Sequence, residues 1–329
     1  MLTLHGATDE VLESLRQGVR DADASGDDDE SFRARLALVE ALDRDFGKSA
    51  EALSVALDLE AWSARLGDPP FMRQGAARLH AAVLSSLGRH EESFEQFRKA
   101  IRLAEEIPLP LSFQAAVNFD YGSALSAAGR YAEAERQLAR SMELFEQAPW
   151  TKAGDRIVAW VNLGIMRAHQ GRLSEALQAL EKGSALLGRN PDLESTKVWV
   201  DSWHGRVLLE LGRLDESQKL LQEVAGKPPE LDVLSHAGAL AGLARIFVQR
   251  GPAPEALAAA RKAAAEDDGS NAAATAYIRF SLAQALRASG GDEAKARELA
   301  KQALQAFQGP ENGYRRGQIE RWLAGTASP

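Results

Sequence analysis

Apolar residues recur three, four and seven positions apart along most of the chain, as Leu138 and Met142 or Leu180 and Leu187 do. This spacing places such residues on one side of an α-helix. No stretch alternates apolar and polar residues for long enough to form a β-strand. The pattern therefore predicts an all-α chain.

The predicted helices come in pairs, with a lone helix before the first pair and another after the last. The first members lie near 30–46, 71–87, 111–128, 151–170, 192–211, 231–250 and 271–289, and the second members near 48–66, 89–106, 130–147, 172–187, 213–225, 253–266 and 292–307. The lone helices lie near 8–22 and 311–324. Prolines at most junctions between pairs fit this division, because proline suits a helix start and ends the preceding helix. These junction prolines are Pro69, Pro70, Pro108, Pro110, Pro149, Pro191, Pro228 and Pro229.

A glycine separates the two helices of each pair, and these glycines are 39 to 42 residues apart. They are Gly47, Gly88, Gly129, Gly171, Gly212, Gly251 and Gly291, and one further step back from the first reaches Gly6. Glycine adopts the left-handed conformation that ends a helix. The regular spacing predicts a repeat of about 41 residues.

Small residues stand at fixed distances from the turn glycines. Five residues after them lie Ala52, Ser93, Ala134, Ala176, Ser217, Ala256 and Ala296, and seven before them lie Ala81, Gly122, Gly164, Gly205 and Ala244. Small side chains let two helices approach closely. We therefore expect these positions to meet where the helices of a pair pack together.

The repeat resembles the tetratricopeptide repeat family over nearly the whole chain. In the fourth repeat Trp160, Leu163, Gly164, Gly171 and Ala176 match the family pattern of Trp, Leu, Gly, turn and Ala. The usual unit has about 34 residues, so the helices here are longer by about a turn, as in the long-helix variants. The resemblance implies a right-handed α-solenoid of about seven helix pairs with capping helices at both ends.

The same resemblance implies one superhelical domain over residues 1–329. Its parts are an N-terminal half-repeat at 1–27, repeats at 28–68, 69–108, 109–149, 150–190, 191–228, 229–269 and 270–308, and a C-terminal cap helix with a tail at 309–329.

Composition and charge narrow the function classes. The chain of 329 residues has no cysteine, which excludes disulfides and thiolate metal sites, and its formal charge of −8 argues against nucleic acid as the main partner. No apolar run is long enough to span a membrane, and the N-terminus lacks the features of a secretory signal. We therefore expect a cytoplasmic protein, and the excess of arginine over lysine favours a GC-rich bacterial source.

A search for catalytic motifs indicates no enzyme and no cofactor. The sequence contains no HExxH, no phosphate-binding GxxxxGK[ST] and no GxSxG. No two histidines stand four residues apart, and acidic pairs such as Glu105 and Glu106 are typical of solvated helix surfaces.

One acidic segment, Asp21 to Phe32, resembles a calcium-binding loop. Asp21, Asp23, Ser25, Gly26, Asp27 and Asp29 follow the first part of an EF-hand pattern, but Phe32 stands where that loop has its bidentate Glu. An acidic linker between repeats is the favoured interpretation, and calcium binding stays open as the alternative.

The resemblance also implies that the first helices line a concave groove that binds a peptide or a partner protein. Its C-terminal half combines aromatic residues with arginines, which is the composition of interaction hot spots. The predicted partner-binding residues are Asn162, Ile165, His169, Trp199, Ser202, Trp203, Arg206, Arg245, Gln249, Tyr277, Phe280, Gln284 and Arg287.

The sequence thus predicts a non-catalytic protein-interaction scaffold. One alternative is a regulatory sensor that binds a signalling peptide or a small molecule and passes a conformational change to a separate partner. A second alternative is self-association, with Trp322 and Leu323 or Leu2 and Leu4 as candidate apolar contacts. Whether the end helices cap the array or dock on another chain stays open.

Overall fold

A computed structural model gives the fold of the chain. It describes residues 9–44, 46–106, 109–148, 153–188, 193–251, 253–269, 271–307 and 312–325. These residues form sixteen α-helices and one short 3₁₀ turn, with no β-strand among them. The chain is an all-α solenoid. It divides into two compact units, Met1–Thr151 and Lys152–Pro329.

The first unit contains a lone helix followed by three helix pairs. Its helices are α1 (Asp9–Ser25), α2 (Asp28–Arg44), α3 (Ser49–Arg65), α4 (Pro70–Ser86), α5 (His90–Glu106), α6 (Leu111–Ala127) and α7 (Tyr131–Gln147). Its core lies between the helices of successive pairs and includes the fully buried side chains of Phe32, Leu42 and Leu59.

The second unit contains four helix pairs and a final helix. Its helices are α8 (Ala153–His169), α9 (Leu173–Leu187), α10 (Glu194–Glu210), α11 (Leu214–Ala225), α12 (Val233–Arg250), α13 (Ala253–Glu266), α14 (Ala272–Ala288), α15 (Glu293–Gln305) and α16 (Gly313–Leu323). Each first helix packs on its own second helix and also on the first helices of the neighbouring pairs. The first helices α8, α10, α12 and α14 therefore form one continuous layer.

The described helices begin and end within three residues of the predicted bounds. Gly47, Gly88, Gly129, Gly171, Gly212 and Gly251 have φ between 61° and 98°, so the predicted left-handed turns are confirmed. In the last pair the left-handed residue of the Gly290–Gly291 turn is Gly290, with φ of 66°, and not Gly291. The predicted residues Gly6, Pro108, Pro149 and Pro191 lie outside the described residues.

The predicted small positions meet where the helices of a pair pack together. A Cβ on Gly164 would lie 2.8 Å from Leu180 Cγ and 3.1 Å from the carbonyl oxygen of Ala176. Ser217 Oγ donates a hydrogen bond of 2.7 Å to the carbonyl oxygen of Gly205 at the equivalent place in the next pair. Because a larger residue cannot fit in this space, the small residues fix how closely the two helices pack.

The acidic segment Asp21 to Phe32 does not form an EF-hand loop. Helix α1 continues to Ser25 and ends at the left-handed Gly26, so Asp21 and Asp23 are helical. Arg35 donates hydrogen bonds of 2.7 and 2.9 Å to the two carboxylate oxygens of Asp23 and holds the pKa of that group below its usual value. The EF-hand alternative therefore does not fit, because Asp21 and Asp23 belong to a helix and the Asp23 carboxylate pairs with Arg35.

Asp27 has a structural role of its own. Its Oδ1 accepts hydrogen bonds from the backbone N–H groups of Asp29 and Glu30, at 2.9 and 3.0 Å. These N–H groups lie in the first turn of α2 and have no partner within the helix, so Asp27 acts as the N-cap.

Candidate functional site

The candidate site lies on the inner face, by which we mean the side of α8, α10, α12 and α14 in the second unit that carries the predicted partner-binding residues. Along α10, Trp199, Trp203, Arg206 and Glu210 follow one another at helical spacing and share this side. On α8, Asn162, Ile165 and His169 do the same. The ring of His169 meets the ring of Trp203 edge-on at 5.6 Å between centroids, so the residues on α8 and those on α10 are in contact.

Arg206 lies between two aromatic rings. Its Cζ is 3.9 Å from the ring centroid of Trp203 and 4.1 Å from that of Tyr277 on α14. The side chain is buried, and its Nε makes no hydrogen bond. Burial lowers the pKa of Arg206 to about 10, so the group still carries its charge at neutral pH.

Two glycines of α12 lie beside this arrangement. A Cβ on Gly238 would lie 3.4 Å from Arg206 Nη1, and one on Gly242 would lie 3.6 Å from Tyr277 Oη, which are ordinary van der Waals distances. The tight contact is with the neighbouring helix α11, because a Cβ on Gly242 would lie 2.7 Å from Leu221 Cδ1.

Glu210 is the centre of a buried hydrogen-bond network. Its Oε1 accepts from Arg245 Nη1 at 2.5 Å and from Arg315 Nη1 at 2.6 Å. Its Oε2 accepts from Gln318 Nε2 at 2.7 Å and from Tyr314 Oη at 3.1 Å. Burial by itself would raise the pKa of Glu210, but the charges of Arg245 and Arg315 hold that pKa well below its usual range.

The final helix α16 supplies three of these four donors, because it lies across the C-terminal ends of the first helices. Near its start, the ring of Tyr314 packs against Gly171 after α8. Near its end, Trp322 meets Phe280 edge-on at 5.8 Å, and Arg287 Cζ lies 3.4 Å from the Trp322 ring centroid. A cavity of about 10 Å³, room for about one water molecule, is left between α16 and α14.

The site carries an excess of positive charge. Arg206, Arg245 and Arg315 are all buried, and among the described residues only Glu210 lies within 4.0 Å of any of their nitrogens as a carboxylate. His169 adds no charge at neutral pH, because burial together with Arg315 and Arg206 lowers its pKa to about 3. Burial and the neighbouring Glu210 raise the pKa of Tyr314 to about 12, so its hydroxyl keeps the proton that it donates.

The structure brings together seven of the predicted residues, which form or border the Arg206 and Glu210 contacts. They are His169, Trp203, Arg206, Arg245, Tyr277, Phe280 and Arg287. Asn162, Trp199 and Gln284 are half-buried on the same helices. The remaining three predicted residues are not among these contacts. Ile165 is buried and Gln249 is exposed. Ser202 donates its hydroxyl to the Ser235 carbonyl oxygen at 2.8 Å.

The sequence prediction missed the contribution of α16, whose Tyr314, Arg315 and Gln318 were left outside the candidate site. The polar residues on one side of this short helix were the available indication. Trp322, a candidate for self-association, is 7% exposed because it packs on Phe280 within the same unit. Leu2 and Leu4 lie outside the described residues.

The first unit has a separate polar cluster on its first helices. Arg78 donates hydrogen bonds of 2.5 Å to Asp120 and 2.9 Å to Glu40, and Arg44 donates to Asp120 at 3.3 Å. Burial disfavours the charge of Arg78, but the two carboxylates outweigh it and raise its pKa. Two arginines face two carboxylates here, so this cluster is balanced in charge and holds the helices together.

The part of the chain that the structure describes offers neither a metal-binding cluster nor a membrane-spanning helix. No group of three or more His, Asp or Glu side chains there is arranged to hold a metal ion. No helix in the same residues is both long enough and apolar enough to cross a membrane.

Comparison with known proteins identifies one family. Models described as "Tetratricopeptide repeat" match residues 74–147 and 113–189 in one form and residues 204–271 in another, which together exceed half of the chain. No curated protein matches the sequence.

Several solved structures are similar in fold. NprR in complex with its cognate peptide NprX has a TM-score of 0.65 at 13% identity, covering 93% of this chain and 86% of that one. The apo form of the quorum sensor NprR from B. thuringiensis has a TM-score of 0.61 at 12% identity, covering 96% and 97%. A tetratricopeptide repeat protein from Parabacteroides merdae has a TM-score of 0.54 at 16% identity, covering 96% and 99%. At these identities the likeness shows the fold alone.

Proposed function

We propose that this chain, which belongs to the tetratricopeptide repeat family, is a non-catalytic interaction module that holds a segment of a partner protein on the inner face of its second unit. The observation that supports this most is α16. This helix of 11 residues already occupies one end of the face through side-chain hydrogen bonds to the buried Glu210. The face therefore has the chemistry needed to hold a helical segment.

The partner segment binds beside α16, on the part of the inner face that this helix leaves uncovered. There Asn162 on α8 and Trp199 and Trp203 on α10 are half-buried, and they form a strip that leads to Arg206. Tryptophan and arginine are enriched among the residues that contribute most to binding. A half-buried aromatic strip with a buried arginine at its end is therefore suited to a peptide with apolar side chains and one polar anchor.

A peptide is the ligand of one protein of similar fold, NprR. That likeness concerns the fold alone, so the peptide class proposed here rests on the strip of Asn162, Trp199 and Trp203. The cytoplasmic location and the bacterial source stay predictions from the sequence.

The test is site-specific photocrosslinking in the full chain. A photoreactive amino acid is placed at position 199 on the inner face, and the matched control carries it at Gln222, an exposed position on the second helix α11. We expect position 199 to form a discrete crosslinked product in an extract of the source organism and position 222 to form none. Sequencing of the crosslinked peptide then identifies the partner segment. A product from position 222 alone, or equal yields from both positions, would place the binding surface elsewhere.

A second candidate function is the sensor, and one contact favours it. Arg206 and Arg315 both lie against the ring of Tyr277, at 4.1 and 5.7 Å from its centroid. A ligand on the strip that moves Arg206 would therefore affect Arg315 of α16 through the ring of Tyr277. Hydrogen exchange of residues 313–323 with and without the crosslinked partner separates the two functions. Faster exchange in the complex supports the sensor, and unchanged exchange supports the simple scaffold.

A further inference from the structure

Arg206 is a buried arginine that has no counter-ion of its own among the described residues. Arg245 and Arg315 share Glu210, whereas no carboxylate of the described residues lies within 4.0 Å of the Arg206 guanidinium. A buried charge without a partner costs free energy, and proteins rarely keep one unless it is used.

The surroundings of Arg206 fix its orientation. The Cζ of Arg206 lies 3.9 Å from the ring centroid of Trp203 on α10 and 4.1 Å from that of Tyr277 on α14, so aromatic rings from two helices pack against the guanidinium. A guanidinium held in this way keeps its plane and leaves only its edge for hydrogen bonding. The Nε of Arg206 lies on that edge, and it is buried without a hydrogen bond.

Arg206 also lies at the end of the strip formed by Asn162, Trp199 and Trp203, so a ligand bound along that strip would reach it. Its stacking partner Trp203 is half-buried and belongs to the strip, whereas its other partner, Tyr277, is 5% exposed and lies against Arg315 of α16. Arg206 thus lies at the boundary between the uncovered and the covered parts of the inner face.

We infer that Arg206 recognises a carboxylate of the bound partner segment, through the N–H groups on the edge of its stacked guanidinium. A planar carboxylate matches this edge with two parallel hydrogen bonds. The inference rests on the proposed function and adds the chemistry of the partner, which is a segment with an acidic side chain or a chain-end carboxylate placed next to an apolar group that meets Trp203.

The first test separates recognition from structural support by comparing stability. Arg206→Met keeps a side chain of similar length and removes the uncompensated charge, so we expect the full chain to unfold at a higher denaturant concentration than the native chain. The matched control is Arg245→Met, which leaves Glu210 without one of its two arginines and should unfold at a lower concentration. A loss of stability in Arg206→Met equal to that of the control would overturn the inference, because Arg206 would then be a structural residue.

The second test observes the Arg206 Nε–H signal by NMR of the full chain labelled at arginine. Glutarate, inorganic phosphate and chloride are titrated separately at matched ionic strength. We expect glutarate to shift the signal saturably and chloride to leave it unchanged, with the signal absent from Arg206→Met. A response to phosphate that exceeds the response to glutarate, or no response to either anion, would overturn a carboxylate site.

Crosslinking distinguishes the failure of this inference from the failure of the proposed function. With the photoreactive residue at position 199, Arg206→Met should lose most of the product that the native chain forms. If the product persists at the native yield, the inner face binds a partner but Arg206 does not recognise it. If the native chain forms no product, the proposed function fails, whatever the stability and NMR results.

If the inference holds, the source of the carboxylate follows from the same product. Amidation of the chain end of the identified peptide, and replacement of its acidic residues by amides, are compared by affinity for the native chain. The change that removes the difference between native and Arg206→Met chains identifies the group. If neither change removes that difference, the carboxylate assignment is wrong.

Discussion

Glu210, the last residue of α10, accepts a hydrogen bond of 2.6 Å from Arg315 on α16, although 105 residues separate the two in the sequence. Both side chains are buried, with exposures of 4% and 7%. This contact, with those of Tyr314 and Gln318, attaches the end of the chain to the inner face. One carboxylate therefore holds α16 against the ends of α10 and α12.

Replacement of that carboxylate should destabilise the second unit strongly. Glu210→Gln leaves Arg245 and Arg315 buried without a negative partner, and the loss of one member of a buried ion pair costs about 3–5 kcal/mol. Denaturant unfolding measures the loss, and hydrogen exchange of residues 313–323 should become faster at the same time. The control is Glu216→Gln, whose carboxylate lies on the surface and pairs with Arg213 at 2.6 Å. Equal unfolding midpoints for the two variants would show that the Glu210 network contributes nothing.

The stability of the chain should depend on pH through His169. Its pKa is about 3 in the folded chain, because of burial and of the charges of Arg315 and Arg206, against 6.5 for an ordinary histidine. Between these values the unfolded chain binds one more proton than the folded chain. The free energy of unfolding therefore falls as the pH falls below 6.5, by about 1.4 kcal/mol per pH unit.

The window from pH 6.5 down to 5.5 lies above most carboxyl titration, and within it His204, whose pKa burial also lowers, adds a slope of the same sign that His169→Gln leaves in place. His169→Gln should flatten the slope of unfolding free energy against pH in that window. Gln170→Ala, a change at the next residue that does not titrate, should keep the slope. An unchanged slope in His169→Gln would mean that His169 is protonated in the folded chain.

The close packing of α8 on α9 should make Gly164 intolerant of any side chain. In Gly164→Ala the new Cβ meets Leu180 Cγ at 2.8 Å, and overpacking of this kind costs about 1–3 kcal/mol. Gly154→Ala is the matched control on the same helix, since nothing lies within 4 Å of its Cβ, and it should be neutral or stabilising by up to about 1 kcal/mol. Thermal unfolding of both variants measures the difference, and equal unfolding midpoints would show that the packing at Gly164 tolerates a side chain.

The acidic segment of the first unit should act as a helix cap and not as a calcium site. Asp27→Ala removes the acceptor for two N–H groups of α2 and should cost about 1 kcal/mol, whereas Asp21→Ala affects only a surface contact with Gln17. Calcium should leave the unfolding temperature of the native chain unchanged. A saturable increase with calcium that Asp27→Ala abolishes would restore the metal interpretation.

The sequence alone predicts the helices of this protein closely. The spacing of Leu138 and Met142 reflects the 3.6-residue turn, and a glycine such as Gly129 ends a helix by its own conformation. The close approach of α8 and α9 at Gly164 is likewise predictable, because a small residue at a fixed distance from each turn indicates the place where the two helices of a pair come closest. These properties depend on a residue and its near neighbours, so a linear pattern expresses them.

Parts of the candidate site are also readable from the repeat. Trp203, Arg206 and Tyr277 share the inner face because helical spacing places Trp203 and Arg206 on one side of α10, and the repeat turns the corresponding side of α14, with Tyr277, the same way. The helical state of Asp23, just beyond the predicted end of the first helix, was not readable in this way. The same spacing of Asp residues occurs in the sequence whether their carboxylates bind a calcium ion or, as Asp23 does, pair with an arginine such as Arg35.

The sequence by itself determined the all-α repeat and the side of each helix that faces its partner, because both follow from contacts a few residues apart. Only the tertiary structure decided which charges are paired. Glu210, Arg245 and Arg315 come from three helices, and no spacing in the sequence relates α16 to α10. The same long-range packing pairs Glu210 with Arg245 and Arg315 and places Arg206 beside two aromatic rings. Burial and ion pairing depend on distances that exist only in the folded chain.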